Sequence, residues 1–332
     1  MHEWVERVFA SIDELIRTLP VPPDHRELLR VHLGVGRDLA EANPELPAIR
    51  LPLLVHAAIT GDEIPALPVA GACTLLYLGA DLLDNLLDDE LPSVWRRRDP
   101  AEAYLAATTL LAVAPQLSIA RLREQGKPPG RLWELSHLFA RSLLTMSAGE
   151  HEDLLFAGRT DVGPETCRAM TERKSGSELA LFARAAAMLA TEDPTAIEEY
   201  TSFGWCLGTA GQICSDVGDI WSEGTSRDLL NGKRTLPIVH ALSTLRGEPR
   251  ERLQGLLGAA RESGEDHEEV RTLLAEAGSM QYTALVVEVY RHRACAHLAA
   301  ASPREPAGRD LKGLVDAASL VVTGQETNDT SC

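Results

Sequence analysis

Apolar residues recur at three- and four-residue intervals through most of the chain, the spacing that lays one stripe along an α-helix. The pattern predicts helices over residues 3–18, 24–42, 65–89, 101–124, 131–157, 164–190, 194–222, 236–245 and 266–300. Strand-like alternation is scarce, and the short run from Ser319 to Gly324 is its nearest example. Turn-forming clusters stand between the periodic segments, at Leu19 to Pro23, Asn43 to Pro47, Lys127 to Gly130 and Gly224 to Lys233. No Gly/Ser linker or internal repeat divides the chain. The expectation is an all-α, single-domain helical bundle of ten or more helices over residues 1–323, with a polar, disordered tail at 324–332.

Composition narrows the function classes. The 332 residues carry 32 Lys plus Arg against 49 Asp plus Glu, a formal net charge of −17. A field of that sign repels a phosphate backbone and an anionic bilayer, so nucleic-acid binding is not expected. The apolar runs are short or broken by Gly and Pro, so no stable membrane insertion is expected either. Cys73, Cys167, Cys206, Cys214, Cys295 and Cys332 show no CxxC spacing and read as reduced thiols, mostly in the core. With no basic, apolar leader at the start, the expected location is cytoplasmic.

Two helical segments concentrate carboxylates. In the first, Asp81, Asp84 and Asp88 follow i, i+3, i+7 spacing and share one face of an otherwise apolar helix. Carboxylates about 4 Å apart repel by roughly 4 kcal/mol at an effective dielectric near 20, so the cluster needs counter-charge. Hard oxygen ligands one turn apart suit Mg²⁺; a solvated acidic helix end is the plainer reading. In the second, Asp216 and Asp219 share a face, while Ser215, Asp219 and Glu223 form a set at i, i+4, i+8. Either set can chelate a cation. Basic residues lie nearby: Arg96, Arg97 and Arg98 after the first cluster, Lys174, and Lys233 in a Gly-Lys-Arg turn before a helix starting near Leu236.

This order of motifs resembles the trans-prenyl diphosphate synthase (polyprenyl synthetase) family. Asp84-Asn85-Leu86-Leu87-Asp88 is similar to that family's first DDxxD motif, with Asn at the second position. Lys174-Ser175-Gly176 resembles its Lys-Thr-Gly segment, and the run from Gly208 through Gln212 to Asp219 its second aspartate motif. Asp228 to Pro237 is close to DLxxGKxTLP. The resemblance implies an isoprenoid-synthase bundle around a central cavity, a homodimer, an allylic prenyl diphosphate as substrate and Mg²⁺ as cofactor, three ions in all. It implies catalytic roles for Asp84, Asp88, Asp219, Lys174 and Lys233. Diphosphate binding falls to Arg96, Arg97, Arg98, Lys174, Gln212 and Lys233, and metal binding to Asp81, Asp84, Asp88, Ser215, Asp216, Asp219 and Glu223.

The departures from that pattern are informative. Chain-elongating members hold isopentenyl diphosphate with a Lys and an Arg of a GKRxRP motif and a His before the first aspartate motif. Alignment on Pro52 puts Ala48, Leu51 and Tyr77 at those places, with Arg50 one residue out of register. In the second motif Ser215 replaces the first Asp, and Ser-Asp-x-x-Asp-x-x-x-Glu223 has the spacing of the metal triad of class I terpene synthases. The resulting expectation is a class I terpene synthase on a prenyl synthase scaffold, with Gly79 and Ala80 leaving room for a C15–C20 or longer chain. A prenyltransferase to another acceptor (indole, peptide or phosphoglycolipid), a chain-elongating synthase and a non-catalytic partner subunit are the alternatives.

Overall fold

The structure is a computed structural model that describes residues 3–43, 46–263 and 267–320. The predicted tail, and most of the strand-like run at 319–324, lie outside the described residues. Helices α1 (Glu3–Thr18), α2 (Pro23–Ala42) and α3 (Pro47–Thr60) pack around α4 (Leu67–Leu87). A broken helical arm follows: α5 (Pro100–Thr108), a π-helical stretch at Thr109–Val113 and α6 (Ala114–Ala120). Next come α7 (Pro129–Phe156), α8 (Pro164–Thr171), a second π-helical stretch at Glu172–Gly176, α9 (Ser177–Ala190) and α10 (Pro194–Trp221). The C-terminal part comprises α11 (Arg227–Leu230), α12 (Leu236–Thr244), α13 (Glu248–Ser263), α14 (His267–Glu276), α15 (Ser279–Ala301) and α16 (Ala307–Ala317). No strand occurs among the described residues.

The punctuation explains the boundaries. Pro opens α2, α3, α5, α7, α8 and α10, where its missing N–H is one that the first turn leaves unbonded anyway. Asp99 and Asp193 add side-chain caps, accepting from the amides of Ala101 and Thr195. Gly278, in the left-handed region at φ 72°, splits the predicted 266–300 helix into α14 and α15. The periodicity missed α3, α11, α13 and α16. Helix α3 is apolar on nearly every face and contains Pro52, so it shows no stripe; it is buried against α4, α9 and α16.

Helix α4 is also apolar all round, as a central helix must be. Together with the preceding turn, Ile64–Leu87 spans 24 residues at a mean hydropathy of 1.6, long and apolar enough to cross a membrane by length and composition. Pro100–Arg123 passes the same test, contrary to the expectation that no segment would. The first is a core helix, with 72 % of its most apolar window buried. The second leaves Tyr104, Leu105, Val113 and Leu117 exposed. Two apolar clusters hold the fold: a large one uniting α1 to α10 with α12, α15 and α16, and a smaller one that includes Ile220, Leu229, Leu242, Leu253 and Leu274. Helix α10 packs against both α9 and α15, which places the second acidic motif across from the end of α4.

Candidate active site

The C-terminal end of α4, the last turns of α7, the π-helical stretch before α9, the end of α10 and the segment 227–235 converge on one polar cavity of about 200 Å³. Its walls include Asp84, Asp88, Asp153, Lys174, Gln212, Ser215, Asp216, Asp219, Arg227, Asp228 and Lys233. Seven carboxylates, counting Glu90, face three cations there.

The two lysines hold the walls together. Lys174 Nζ lies 3.0 Å from Asp84, 2.7 Å from Glu150 and 3.0 Å from Asp153. Lys233 Nζ lies 2.6 Å from Asp88 and 3.8 Å from Asp153. Asp153, unrecognised in the sequence, is therefore the acid shared by both. Lys174 reaches this place because the backbone widens over Glu172–Gly176, and such stretches favour functional positions. A Cβ on Gly149 would stand 2.5 Å from the Lys174 amide nitrogen, so α7 can approach only as glycine. Gly208 does the same for α10, where a Cβ would collide with the Ser175 carbonyl oxygen.

Burial and charge divide the carboxyls into two kinds. Burial raises Asp84, but Lys174 and Lys233 outweigh it and hold its carboxyl below the ordinary value. Burial depresses Lys174, yet Asp84, Asp153 and Glu150 keep it well above the ordinary lysine value. Glu150 stays raised by burial despite its lysine partner. Asp216 is pushed up to about 6 by burial, although Gln212 donates to its Oδ1 at 2.8 Å. Asp228 is pushed up to about 8 by burial and by the neighbouring Asp216 and Asp219. These are acids short of positive charge.

Not every sequence candidate stands free in the polar cavity. Asp81 lines the adjoining cavity, where burial and Asp84 push it up to about 6, and Asn85 donates to its Oδ2 at 3.1 Å. Asp219 is engaged: it accepts from the amides of Arg227 at 3.2 Å and Asp228 at 3.0 Å and from the Ser226 hydroxyl, clamping the start of α11. Glu223 does not join Ser215 and Asp219, because α10 ends at Trp221 and Glu223 borders a separate surface hollow with Arg271. Arg96, Arg97 and Arg98 line neither cavity. Their turn is pinned by Trp95, which donates to His32 at 3.2 Å while His32 bonds the Leu78 carbonyl at 2.7 Å; the three arginines are exposed. Arg234 is also structural, bonding the Gly232 carbonyl at 2.9 Å. The cation that takes the trio's place is Arg227, paired with Glu90 at 2.9 Å.

Beside the polar cavity opens a second one of about 500 Å³ between α4, α7, α9 and α10. Leu83, Leu111, Leu143, Met146 and Leu154 supply its apolar wall, and Tyr77, Ala80, Glu178 and Lys174 also line it. Ala80 faces this space, but Gly79 does not. A Cβ on Gly79 would meet the Leu111 amide at 2.6 Å, so that glycine serves helix packing. The place where elongating relatives would hold a second diphosphate is core: Ala48 and Leu51 are 2 % and 0 % exposed. Arg50 is turned away onto Asp310 at 3.0 Å and the Trp4 ring at 5.1 Å.

The donor chemistry of the polar cavity fits divalent cations: hard oxygens in excess, from two facing walls. No three acidic, His or Cys groups among the described residues already converge as a metal cluster, because lysines separate the carboxylates.

The polyprenyl synthetase family profile matches residues 90–276. The chain is 28 % identical over 221 residues to a short chain isoprenyl diphosphate synthase of Methanothermobacter thermautotrophicus, covering 64 % of this chain and 67 % of that one. It is 29 % identical over 249 residues to the tryptophan prenyltransferase ComQ of Bacillus spizizenii, covering 73 % of this chain and 84 % of that one. A polyprenyl synthetase crystal structure from Streptomyces coelicolor superposes with a TM-score of 0.79 at 23 % identity, over 95 % of this chain and 97 % of that one.

Proposed function

The chain belongs to the polyprenyl synthetase family, and we propose that it ionises an allylic prenyl diphosphate with Mg²⁺ and delivers the prenyl chain to a nucleophile other than isopentenyl diphosphate. One contrast carries this reading. The cradle of Lys174, Lys233, Asp84 and Asp88 is assembled, whereas Ala48 and Leu51 are buried and Arg50 is committed to Asp310. A second diphosphate placed there would lack compensating charge, and each missing charge-assisted hydrogen bond weakens binding by roughly 1.5–3 kcal/mol.

In this mechanism Lys174, Lys233 and Arg227 receive the substrate's diphosphate oxygens. Asp84, Asp88, Asp216 and Asp219 are the residues that would hold Mg²⁺, with Asp81 beside them. Bound Mg²⁺ supplies the positive charge that makes pyrophosphate a good leaving group. The allylic C1–O bond breaks with its electron pair going to pyrophosphate, and the apolar wall of Leu83, Leu111, Leu143 and Met146 holds the chain away from water. The nucleophile then gives an electron pair to C1 and releases one proton.

The motif spacing favoured a terpene synthase, whose nucleophile is the chain's own double bond. The cavity favours an external nucleophile. A cyclising cation needs walls that neither add to it nor take its protons early, and here Asp81, Glu178 and Tyr77 share the lining. The exposed Tyr104, Leu105, Leu117, Trp133 and Leu144 on α5, α6 and α7 support a homodimer.

The test is incubation with Mg²⁺ and geranyl, farnesyl or geranylgeranyl diphosphate, with and without isopentenyl diphosphate, following pyrophosphate and products by mass spectrometry. Pyrophosphate released without isopentenyl diphosphate is the expected result. Longer diphosphates formed only in its presence would overturn the reading, and cyclic hydrocarbons as the main product would restore the terpene synthase.

A further inference from the structure

The π-helical stretch Glu172–Gly176 carries Lys174 into the polar cavity, and a helix widened in this way is rare. A return to the α-helical register, a slip of one residue, would turn the Lys174 side chain by about 100° around the helix axis. The aim of Lys174 at Asp84, Glu150 and Asp153 therefore depends on whatever holds the stretch open.

Three neighbouring helices each bond one residue of the stretch. Arg173 Nε donates to Glu152 of α7 at 2.8 Å, the Ser175 hydroxyl donates to Gln212 of α10 at 2.8 Å, and Glu172 accepts from the Tyr290 hydroxyl of α15. These anchors differ in strength. Arg173 and Glu152 are 35 % and 32 % exposed, and ion pairs that solvent reaches contribute little. The bond between Ser175 and Gln212 joins two neutral groups. Tyr290 is 3 % exposed and donates to a carboxylate, the stronger and better shielded kind of hydrogen bond. The same Glu172 oxygen has Arg168 Nε at 4.0 Å, which favours its charged form. Among the described residues, α15 lines neither cavity, so packing of the site itself gives no reason for this contact.

We propose that Tyr290 is a positioning residue for the reaction: by holding Glu172 it keeps the π-helical register that aims Lys174 at the diphosphate. This rests on the proposed ionisation of an allylic diphosphate in the polar cavity. Tyr290 acts through one hydrogen bond and the backbone, from a helix outside both cavities.

The experiment uses the full chain and two readouts, calorimetric binding of inorganic pyrophosphate with Mg²⁺ present and steady-state pyrophosphate release from farnesyl diphosphate. Melting curves report the folding of each variant. Tyr290→Phe keeps the ring and loses only the hydroxyl; it is expected to weaken pyrophosphate binding and to lower kcat/KM by about tenfold each. Glu172→Ala is expected to match it and covers the case in which the phenylalanine variant fails to fold. Glu172→Gln, which keeps a carbonyl acceptor for the Tyr290 hydroxyl, should stay within about threefold of the wild type. Lys174→Gln tests the route. On that background Tyr290→Phe should change pyrophosphate affinity by less than about twofold, because the ammonium that it aims is gone. Unaltered affinity and kcat/KM in a folded Tyr290→Phe protein, even with a lower melting temperature, would overturn the proposal. So would losses that multiply in the Lys174→Gln background, the mark of a role that is structural only. A wild type that neither binds pyrophosphate nor releases it from geranyl, farnesyl or geranylgeranyl diphosphate overturns the proposed ionisation instead.

Discussion

The two adjoining cavities use the same kind of residue in opposite ways. In the polar one, Asp84, Asp88 and Asp153 are bridged by Lys174 and Lys233, so buried charge is matched by charge. In the chain cavity, the Glu178 carboxyl is buried beside leucines and methionine with no such partner, and it is pushed up to about 8 by burial and by Asp81. Asp84, held below its ordinary value by Lys174 and Lys233, can exchange a lysine for a metal ion. Burial holds the Glu178 carboxyl above its ordinary value, and its Oε1 has no hydrogen-bond partner among the described residues. The same side-chain chemistry thus gives a charge-matched wall in one cavity and an unmatched one in the other.

Removing the paired acids should have the largest effect. Asp84→Ala or Asp88→Ala is expected to lower Mg²⁺-dependent pyrophosphate release by about 10²–10³-fold, the scale of losing one main electrostatic stabiliser. Asp88→Ala also leaves the nearly buried Lys233 with Asp153 alone at 3.8 Å, so a lower melting temperature is expected for it, and unaltered release from both variants would break the metal assignment. Replacing the shared cation comes next. Lys174→Met leaves Asp84, Glu150 and Asp153 mutually repelling, and a loss of about 3 kcal/mol in urea unfolding is expected, partly recovered by added Mg²⁺.

Titration of the metal-free protein sharpens the contrast further. Asp81 and Asp216 are pushed up to about 6, and Asp228 and Glu178 to about 8. An acid whose folded pKa exceeds its unfolded value gives stability that is present below the unfolded value and is lost as pH rises through the folded one. With a chelator present, stability should therefore fall as pH climbs from near 4, the ordinary value, toward about 8. Mg²⁺ should flatten that fall, because the ion favours the charged forms; identical profiles with and without Mg²⁺ would contradict it. The smallest effect belongs to the rim. Arg227 is 69 % exposed where it pairs with Glu90, so Arg227→Ala should cost no more than about 1 kcal/mol of stability. It should instead raise the KM for the diphosphate substrate, measured by steady-state pyrophosphate release.

The acidic helices were legible in the sequence because aspartates at i, i+3, i+7 on an apolar helix repel one another unless a cation faces them. Lys174 and Lys233 were legible by their motifs. Asp153 and Glu150 were not: they lie in α7, whose sequence reads as an ordinary amphipathic helix, and only the approach permitted by Gly149 brings them to Lys174. Glu178 carried no signal either, being one acid in an alanine-rich helix. Conversely, Arg96, Arg97 and Arg98 looked like phosphate ligands by charge alone, and the Trp95–His32 anchor leaves them exposed, outside both cavities.

Local periodicity, proline-opened helices and clustered aspartates thus determined by themselves an all-α fold with two acidic helix ends, because helix geometry fixes which neighbours in sequence share a face. Which distant residues meet was decided only by the tertiary structure. The end of α10 at Trp221 kept Glu223 from Ser215 and Asp219, and glycine-to-backbone contacts set Lys174 among acids drawn from two other helices. Those outcomes depend on how closely helices can pack, a matter of side-chain volume across the interface that no single helix encodes.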